Sequence, residues 1–413
     1  MKLVTRNNPL LNCFTVVLLI CDILSIICAA FTYGNTFTNS LHNFTTDTFM
    51  DFFNSIIYGK TPYEKGVIYP PLINCIYGLI GRFIPKEIFL NSVECRSSQI
   101  GLMVYLITLL VQIALLRFIL EKSNAFDEIT IWLILLSYPF IFTYERGNPI
   151  LLSLIFLFIY VRYYDSEDKK QKFIAYCCLA VSTSIKIYPA IFGLLTLKKG
   201  KTRDTAKLVI IGLVVFFTPF VFLVGENRNP LSLVHNILST SQYMNNQGLG
   251  FKLNTSNLME LIGDVYNIDT TVITKVILLV FIVATMAITL IYHGKEWKII
   301  CLLSLLMIEV PGFSFEYCLI YMTIPLMYFI ESEKPSAINY IYLAMFSMLF
   351  VNIPVIHQSL FETLENDYYK LNYQTVMQMI VVFVFTALLI IDCLHDIGAS
   401  APRVGKSPSA KAL

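Results

Sequence analysis

The chain has 413 residues, of which 56% are hydrophobic and only 14% carry a charge. Soluble domains carry a charge on about 25% of their residues, so lipid must solvate most of this chain. The net charge of +2 is too small to indicate a nucleic acid partner. Composition therefore predicts an integral membrane protein with membrane lipid around it and no role in nucleic acid binding.

Apolar runs recur along the whole chain between short charged connectors, which is typical of many spanning helices. We predict an all-α polytopic membrane protein with about twelve transmembrane helices. The predicted spans are residues 11–33, 99–121, 129–143, 149–164, 173–185, 188–197, 206–224, 272–293, 298–310, 317–331, 337–355 and 375–393. They form a single domain over residues 1–397, and the Ala-, Ser-, Pro- and Lys-rich tail at 398–413 is predicted to be disordered.

Basic residues orient these spans in the membrane. With the N-terminus inside, the basic connectors all fall on the cytoplasmic side. These connectors carry Lys169, Lys170, Lys172, Lys198, Lys199, Lys201, Arg203, Lys295, Lys298 and Lys334. The assignment requires two short helices in residues 173–197, broken near Lys186 and Pro189, because one tilted helix would invert the later connectors. Both termini are then cytoplasmic in a multi-pass protein of the cell membrane.

Three long polar segments, residues 34–98, 225–271 and 356–374, share the outer face in this topology. Loops of such length usually carry function, so we expect the functional site on the outer face. Amphipathic helices are expected in the first of these segments.

The first outer segment contains two carboxylates, Asp47 and Asp51, whose spacing of four residues places them on one helical face. Close to the membrane surface and among aromatic residues, either one is a candidate general base. The alternative is that Asp47 caps the helix and Asp51 faces water. Tyr69, which precedes two prolines, belongs either to a rigid turn or to a substrate site.

A short outer turn, residues 144–148, contains Glu145, Arg146 and Asn148. Glycine and asparagine are enough to form such a turn, so the Glu-Arg pair needs another explanation. Arg146 is a candidate for binding a phosphate group through two hydrogen bonds. The alternative is an ion pair with Glu145 or a guanidinium that reaches the membrane interface.

Lys186 is flanked by long apolar stretches and followed by Tyr188. An intramembrane lysine indicates a functional site, here one for the phosphate of a lipid carrier, unless the side chain snorkels to the interface. Two weaker candidates for hydrogen bonds to sugar hydroxyls are Gln247, in the second long outer segment, and Glu316, at a short outer turn.

Motifs for a metal, a nucleotide or a Ser-His-Asp set are absent from the sequence, which has only five histidines. We therefore expect no cofactor and no metal. The ten cysteines show no metal-ligand spacing, and most of them are expected to pack as small hydrophobic residues.

Several motifs together resemble the family 87 glycosyltransferases of the GT-C superfamily. In chain order they are the outer aspartates, Gly59 with Pro62-Tyr63, Tyr69-Pro70-Pro71, Arg146-Gly147-Asn148-Pro149 and Lys186-Ile187-Tyr188-Pro189. The resemblance extends from Asp47 to roughly Glu316 and implies a GT-C-like bundle. It also implies transfer of a hexose, typically mannose, from a polyprenyl-phosphate sugar to a glycan or glycolipid acceptor. Transfer would take place on the outer face, with inversion at the anomeric carbon.

The resemblance implies roles for the candidate residues. Asp47 or Asp51 would be the base, and Arg146 and Lys186 would bind the donor phosphate. The implied contacts to the sugar or the acceptor are Tyr69, Glu145, Asn148, Tyr188, Gln247 and Glu316. A polymerase or ligase of lipid-linked glycans is the nearest alternative and would depend mainly on Arg146. A transporter is a more distant one, because such proteins often contain repeated halves and we find none in the sequence.

Overall fold

The computed structural model describes residues 8–34, 48–88, 91–200, 202–245, 253–311, 314–354 and 373–400. Every regular element in these ranges is helical, which confirms the predicted all-α class. Asp47, Gln247 and the tail after residue 400 lie outside the described residues.

The α-helices follow one another along the chain, with short 3₁₀ helices between some of them. The α-helices are α1 (Pro9–Phe31), α2 (Met50–Tyr58), α3 (Pro71–Ile80), α4 (Ser92–Ser97), α5 (Gln99–Ser123), α6 (Glu128–Leu135), α7 (Tyr138–Arg146), α8 (Ile150–Tyr163), α9 (Lys169–Ile185), α10 (Gly193–Lys198), α11 (Thr202–Phe217), α12 (Pro230–Asn245), α13 (Thr255–Tyr266), α14 (Thr271–Ile291), α15 (Glu296–Glu309), α16 (Thr323–Ser332), α17 (Ala337–Phe350) and α18 (Tyr373–Ser400). The 3₁₀ helices are Pro62–Lys65, Gly81–Phe83, Lys86–Ile88, Tyr188–Phe192, Thr218–Phe222 and Glu316–Met322.

Within the described ranges, five helical segments are long and apolar enough to cross a membrane. They are Pro9–Phe31, Gln99–Ser123, Thr202–Phe222, Thr271–Ile291 and Tyr373–Ala399. The first four bury no more than 22% of their most apolar window, so their side chains face outward as lipid contact requires. These segments confirm a membrane protein, whereas the predicted count of about twelve spans is not confirmed, because the other predicted spans correspond to shorter or divided helices.

Helix α15 lies at the centre of the bundle, and its residues from Trp297 to Glu309 are all buried. A helix that is apolar on every side is expected inside a bundle and not at its surface. Lys298, near the start of α15, is 6% exposed. Its Nζ atom lies 2.7 Å from a carboxylate oxygen of Asp392 and 2.7 Å from one of Asp396, both on α18. These two ion pairs satisfy the buried ammonium group and join the last helix to the central one.

The predicted helix break near Lys186 is confirmed. Helix α9 ends at Ile185, Lys186 has an extended backbone, and the 3₁₀ helix that follows starts at Tyr188. Pro189 is the second residue of this 3₁₀ helix, a position that tolerates the missing amide hydrogen.

A second break was not predicted. The predicted span 129–143 is divided, because α6 ends at Leu135 and α7 begins at Tyr138. Pro139 cannot donate the amide hydrogen bond that a continuous helix needs, so the chain starts a new helix there. Helix α7 then ends at Arg146, and the turn at Gly147 follows it.

The first outer segment contains short helices, as predicted. Helix α2 buries Phe52, Phe53 and Ile56 on one face and packs against α3. The second outer segment, interpreted from sequence as a polar loop, contains α12 and α13. The Asn254 side chain accepts a hydrogen bond from the Asn257 amide at 3.2 Å and caps the start of α13, which is a common role for asparagine.

Candidate active site

The start of α2, which contains Asp51, is fixed to the end of α7 by a backbone contact. The amide nitrogen of Phe49 donates a hydrogen bond to the carbonyl oxygen of Glu145 at 2.6 Å. The Arg96 guanidinium holds the preceding residue by donating to the Thr48 carbonyl oxygen at 3.1 Å. These bonds place the first turn of α2 directly beside the turn between α7 and α8.

Gly147 allows that turn to form. It follows the last residue of α7 with a φ of +66°, in the left-handed region that favours glycine. A Cβ atom on Gly147 would lie 2.9 Å from the Cβ atom of Phe52, so α2 packs directly on the turn. Asn148 continues the turn, because its Oδ1 atom accepts a hydrogen bond from the Ile150 amide at 3.0 Å at the start of α8.

The Gly147→Ala variant is expected to be less stable than Gly200→Ala, a matched control with a φ of +67°. Both variants force alanine into a left-handed conformation at a cost of about 1–2 kcal/mol. Only at position 147 does the new Cβ also clash with Phe52, because no other atom lies within 4 Å of a Cβ built on Gly200. Thermal unfolding midpoints of the two variants in detergent measure the difference, and equal shifts would contradict the packing of α2 on this turn.

Asp51 lies in a buried network of charged and polar side chains. Its Oδ1 atom is 2.9 Å from Nη2 of Arg146, and its Oδ2 atom accepts a hydrogen bond from Nδ2 of Asn148 at 2.6 Å. The Asp51 and Arg146 side chains are only 14% and 13% exposed. The alternative that Asp51 faces water is therefore wrong. Charge-assisted hydrogen bonds of this kind are among the strongest in proteins.

Tyr69 and Lys186 extend the network towards the break after α9. The Tyr69 hydroxyl lies 3.3 Å from Nδ2 of Asn148. The Nζ atom of Lys186 lies 4.3 Å from the centre of the Tyr69 ring and 5.4 Å from that of Tyr317. Lys186 is 7% exposed, so its side chain does not snorkel to the interface but makes cation–π contacts inside the protein.

Burial is the main cause that raises the pKa of the Tyr69 hydroxyl well above its usual range, and the negative charge of Asp51 adds to the effect. Tyr69 therefore stays protonated at neutral pH. Its backbone is also held in place, because Asn74 donates a hydrogen bond to the Tyr69 carbonyl oxygen at 3.1 Å. Tyr69 is thus a neutral, fixed group beside the charged pair.

The other predicted site residues within the described ranges lie around this network. Glu145 is 9% exposed and contributes the carbonyl oxygen that holds α2. Tyr188 packs edge-on against Tyr321, with the ring centres 5.9 Å apart. Glu316 is 2% exposed and accepts a hydrogen bond from the Thr375 hydroxyl at 2.8 Å, on α18. Tyr188 and Glu316 therefore contact the interior of the bundle, and the core of the site is Asp51, Tyr69, Arg146, Asn148 and Lys186.

Two further residues shape the site, and no contact with Lys186 was predicted for the first, nor any role for the second. Tyr317 provides the second ring beside Lys186 and stacks on Phe142 of α7, with ring centres 6.0 Å apart. Asn74 is fully buried in α3 and braces the turn at Tyr69. A polar residue in an otherwise apolar helical segment was the available signal for Asn74.

The core of the site brings together one carboxylate, two cationic side chains, an amide and a neutral phenol. A carboxylate can accept a proton, and arginine with lysine can bind a phosphate group. Among the described residues, no group of three or more His, Cys, Asp or Glu side chains is arranged to hold a metal ion.

A comparison with protein families finds a match to this chain. The model of glycosyltransferase family 87 matches residues 96–310, slightly more than half of the chain. The match includes Arg146, Asn148 and Lys186 and begins after Asp51 and Tyr69. No curated protein matches the chain. The family match and the apolar helices confirm a membrane glycosyltransferase, and the chain belongs to glycosyltransferase family 87.

Proposed function

We propose that the chain transfers a mannose-like hexose from a polyprenyl-phosphate sugar to a hydroxyl group of a glycan or glycolipid acceptor. Transfer takes place on the outer face of the cell membrane, with both termini of the chain in the cytoplasm. The observation that supports this proposal most is the buried pair of Asp51 and Arg146 with Lys186 close by.

The charges of these three side chains favour this class of donor. Arg146 and Lys186 carry two positive charges and Asp51 one negative charge, so these three mostly buried side chains together carry one positive charge. A sugar linked to a lipid through one phosphate is a phosphodiester with a single negative charge. Its binding would balance the site, and buried charges are stable only when they are balanced.

In the proposed reaction, the acceptor hydroxyl attacks the anomeric carbon on the side opposite the phosphate. The bond between that carbon and the phosphate oxygen breaks as the new glycosidic bond forms, so the configuration inverts. The hydroxyl proton passes to an aspartate, and polyprenyl phosphate leaves with one more negative charge than the phosphodiester had. Arg146 and Lys186 stabilise this growing charge, which makes a metal ion unnecessary.

Two aspartates remain candidates for the base. Asp51 is supported by its contacts with Arg146 and Asn148, whereas Asp47 is supported by the resemblance alone. Asn148 and Tyr69 would orient the base and the sugar. Glu145 and Gln247 are proposed as further contacts to the sugar or the acceptor. Tyr188 and Glu316 contact the interior of the bundle, so their proposed role is to support the site from behind.

The test uses the full chain in lipid nanodiscs with three radiolabelled donors, polyprenyl-phosphate mannose, glucose and galactose, and a membrane extract as acceptor. We expect labelled glycan or glycolipid from one of them, with inverted configuration in the NMR spectrum of the product. Nucleotide sugars serve as the control donors and are expected to give no product. Failure of all three lipid donors, or retention of configuration, would contradict the proposal.

A further inference from the structure

A cavity lined mostly by polar residues lies between the start of α13, the start of α14 and the end of α15. Its volume is about 360 Å³, within the range of roughly 300–1,000 Å³ that is usual for small-ligand sites. Its polar wall includes Ser256, Glu260, Thr271, Thr274, Lys275 and Glu309. None of these residues belongs to the Asp51 network, so the proposed reaction leaves the cavity unexplained.

One wall of this cavity is rigid. The Glu309 side chain is 1% exposed, and its two carboxylate oxygens accept hydrogen bonds from the amide and the hydroxyl of Thr255, each at 2.8 Å. Asn254 donates a hydrogen bond to the Pro311 carbonyl oxygen at 3.1 Å. These bonds connect α13 to the end of the central helix, so the cavity is preformed, as an effective binding site requires.

The lining indicates a sugar. A sugar hydroxyl both donates and accepts hydrogen bonds, and the wall offers carboxylates that accept, an ammonium group that donates and hydroxyls that do both. The Glu260 carboxylate and the Lys275 ammonium group carry opposite charges, so the wall lacks the excess of positive charge that a phosphate site needs. Leu278, Val310 and Pro311 form the apolar part of the wall.

The cavity lies close to the proposed active site along the chain. Pro311 lines the cavity and Tyr317 packs beside Lys186. Tyr317 is six positions after Pro311, and a chain of that length spans at most about 22 Å. The Leu253 amide, next to the first lining residue of α13, donates a hydrogen bond to the Ser314 carbonyl oxygen at 2.6 Å. The chain from Pro311 at the cavity to Tyr317 beside Lys186 therefore connects the two sites.

We infer that this cavity binds a sugar unit of the acceptor glycan, one or more units away from the hydroxyl that receives the new sugar. This inference rests on the proposed function, because that function supplies the glycan or glycolipid acceptor. It implies that the protein distinguishes an extended glycan acceptor from a single sugar.

The test fills the cavity with the Thr271→Trp variant. Thr271 is exposed at the start of α14, so a larger side chain is tolerated there. Val272→Trp is the matched control, because Val272 is the next residue, is 69% exposed and does not line the cavity. Kinetics are measured with octyl mannoside and octyl mannotrioside as acceptors. We expect Thr271→Trp to raise KM for the trioside about tenfold, the effect of roughly 1.4 kcal/mol, with kcat and the KM for the monosaccharide unchanged.

Binding is measured separately by equilibrium dialysis of tritiated mannotriose and maltotriose against the purified protein. We expect one of the two trisaccharides to bind saturably, with the same Kd for wild type, Asp51→Asn and Val272→Trp. We expect Thr271→Trp to raise this Kd about tenfold. Absence of saturable binding, or equal binding by Thr271→Trp and Val272→Trp, would overturn the inference. Trisaccharide binding without transfer from any lipid donor would instead contradict the proposed function.

Discussion

Asp51→Asn is expected to lower kcat by about 10²–10⁴-fold, the usual contribution of a general base. Asparagine has the same shape as aspartate and can still accept a hydrogen bond from Arg146 through its remaining oxygen, but it cannot take the acceptor proton. The new amide nitrogen would face Nδ2 of Asn148, a donor against a donor, so the hydrogen bond to Asn148 is lost although the size of the side chain is kept. Initial rates at saturating donor and acceptor measure the loss, and thermal unfolding in detergent shows whether the fold is kept.

Two further variants are measured beside Asp51→Asn. Asp47→Asn tests the other candidate base, and Asp264→Asn is the matched control. Asp264 is exposed on α13 and makes no contact with the Asp51 network, so its replacement should leave kcat unchanged. A loss confined to Asp47→Asn would assign the base to Asp47. Full activity in both Asp47→Asn and Asp51→Asn would exclude the carboxylate mechanism.

Arg146→Lys is expected to lower kcat by about 10²–10³-fold, similar to the loss of one donor that stabilises a developing negative charge. Lysine keeps the positive charge beside Asp51 but cannot form the two parallel hydrogen bonds that a guanidinium offers to phosphate. The variant thus tests phosphate binding without leaving Asp51 buried and unpaired. Rates with the lipid donor found to be active, and the Kd for polyprenyl phosphate as product, measure the effect.

Arg162→Lys is the matched control for Arg146→Lys. Arg162 is 48% exposed, and its Nη1 atom lies 4.0 Å from a carboxylate oxygen of Glu331, so its replacement should leave kcat unchanged. Unchanged kcat in Arg146→Lys would contradict the proposed phosphate site. A strong loss in Arg146→Lys together with full activity in both aspartate variants would favour a polymerase or ligase of lipid-linked glycans.

Local signals in the sequence predicted the parts of the site that depend on neighbouring residues. Glycine and proline mark the turn after Arg146 and the break at Lys186, because only certain residues fit those backbone conformations. The partners of these side chains could not be predicted in the same way. Asp51 and Arg146 are 95 residues apart, and their pairing depends on how α2 packs on the turn at Gly147.

The number of spans was predicted less well, for a physical reason. Helices α8, α15 and α17 have 14 residues each, about 21 Å in length, whereas the apolar part of a bilayer is about 30 Å thick. Apolar composition is the same whether a helix is surrounded by lipid or by other helices. Hydropathy therefore cannot separate a spanning helix from a short one inside the bundle, such as α15.

The contact between Asp51 and Arg146 also bears on the order in which two substrates can add. In the structure both carboxylate oxygens of Asp51 already accept a hydrogen bond, Oδ1 from Arg146 and Oδ2 from Asn148. A donor phosphate that competes for Arg146 would release Asp51 to accept a proton. Under the proposed mechanism, an acceptor or a water molecule that arrives first meets a carboxylate whose two oxygens are both engaged. The protein would therefore follow an ordered sequence, donor before acceptor, and lose little of its lipid-linked sugar to hydrolysis.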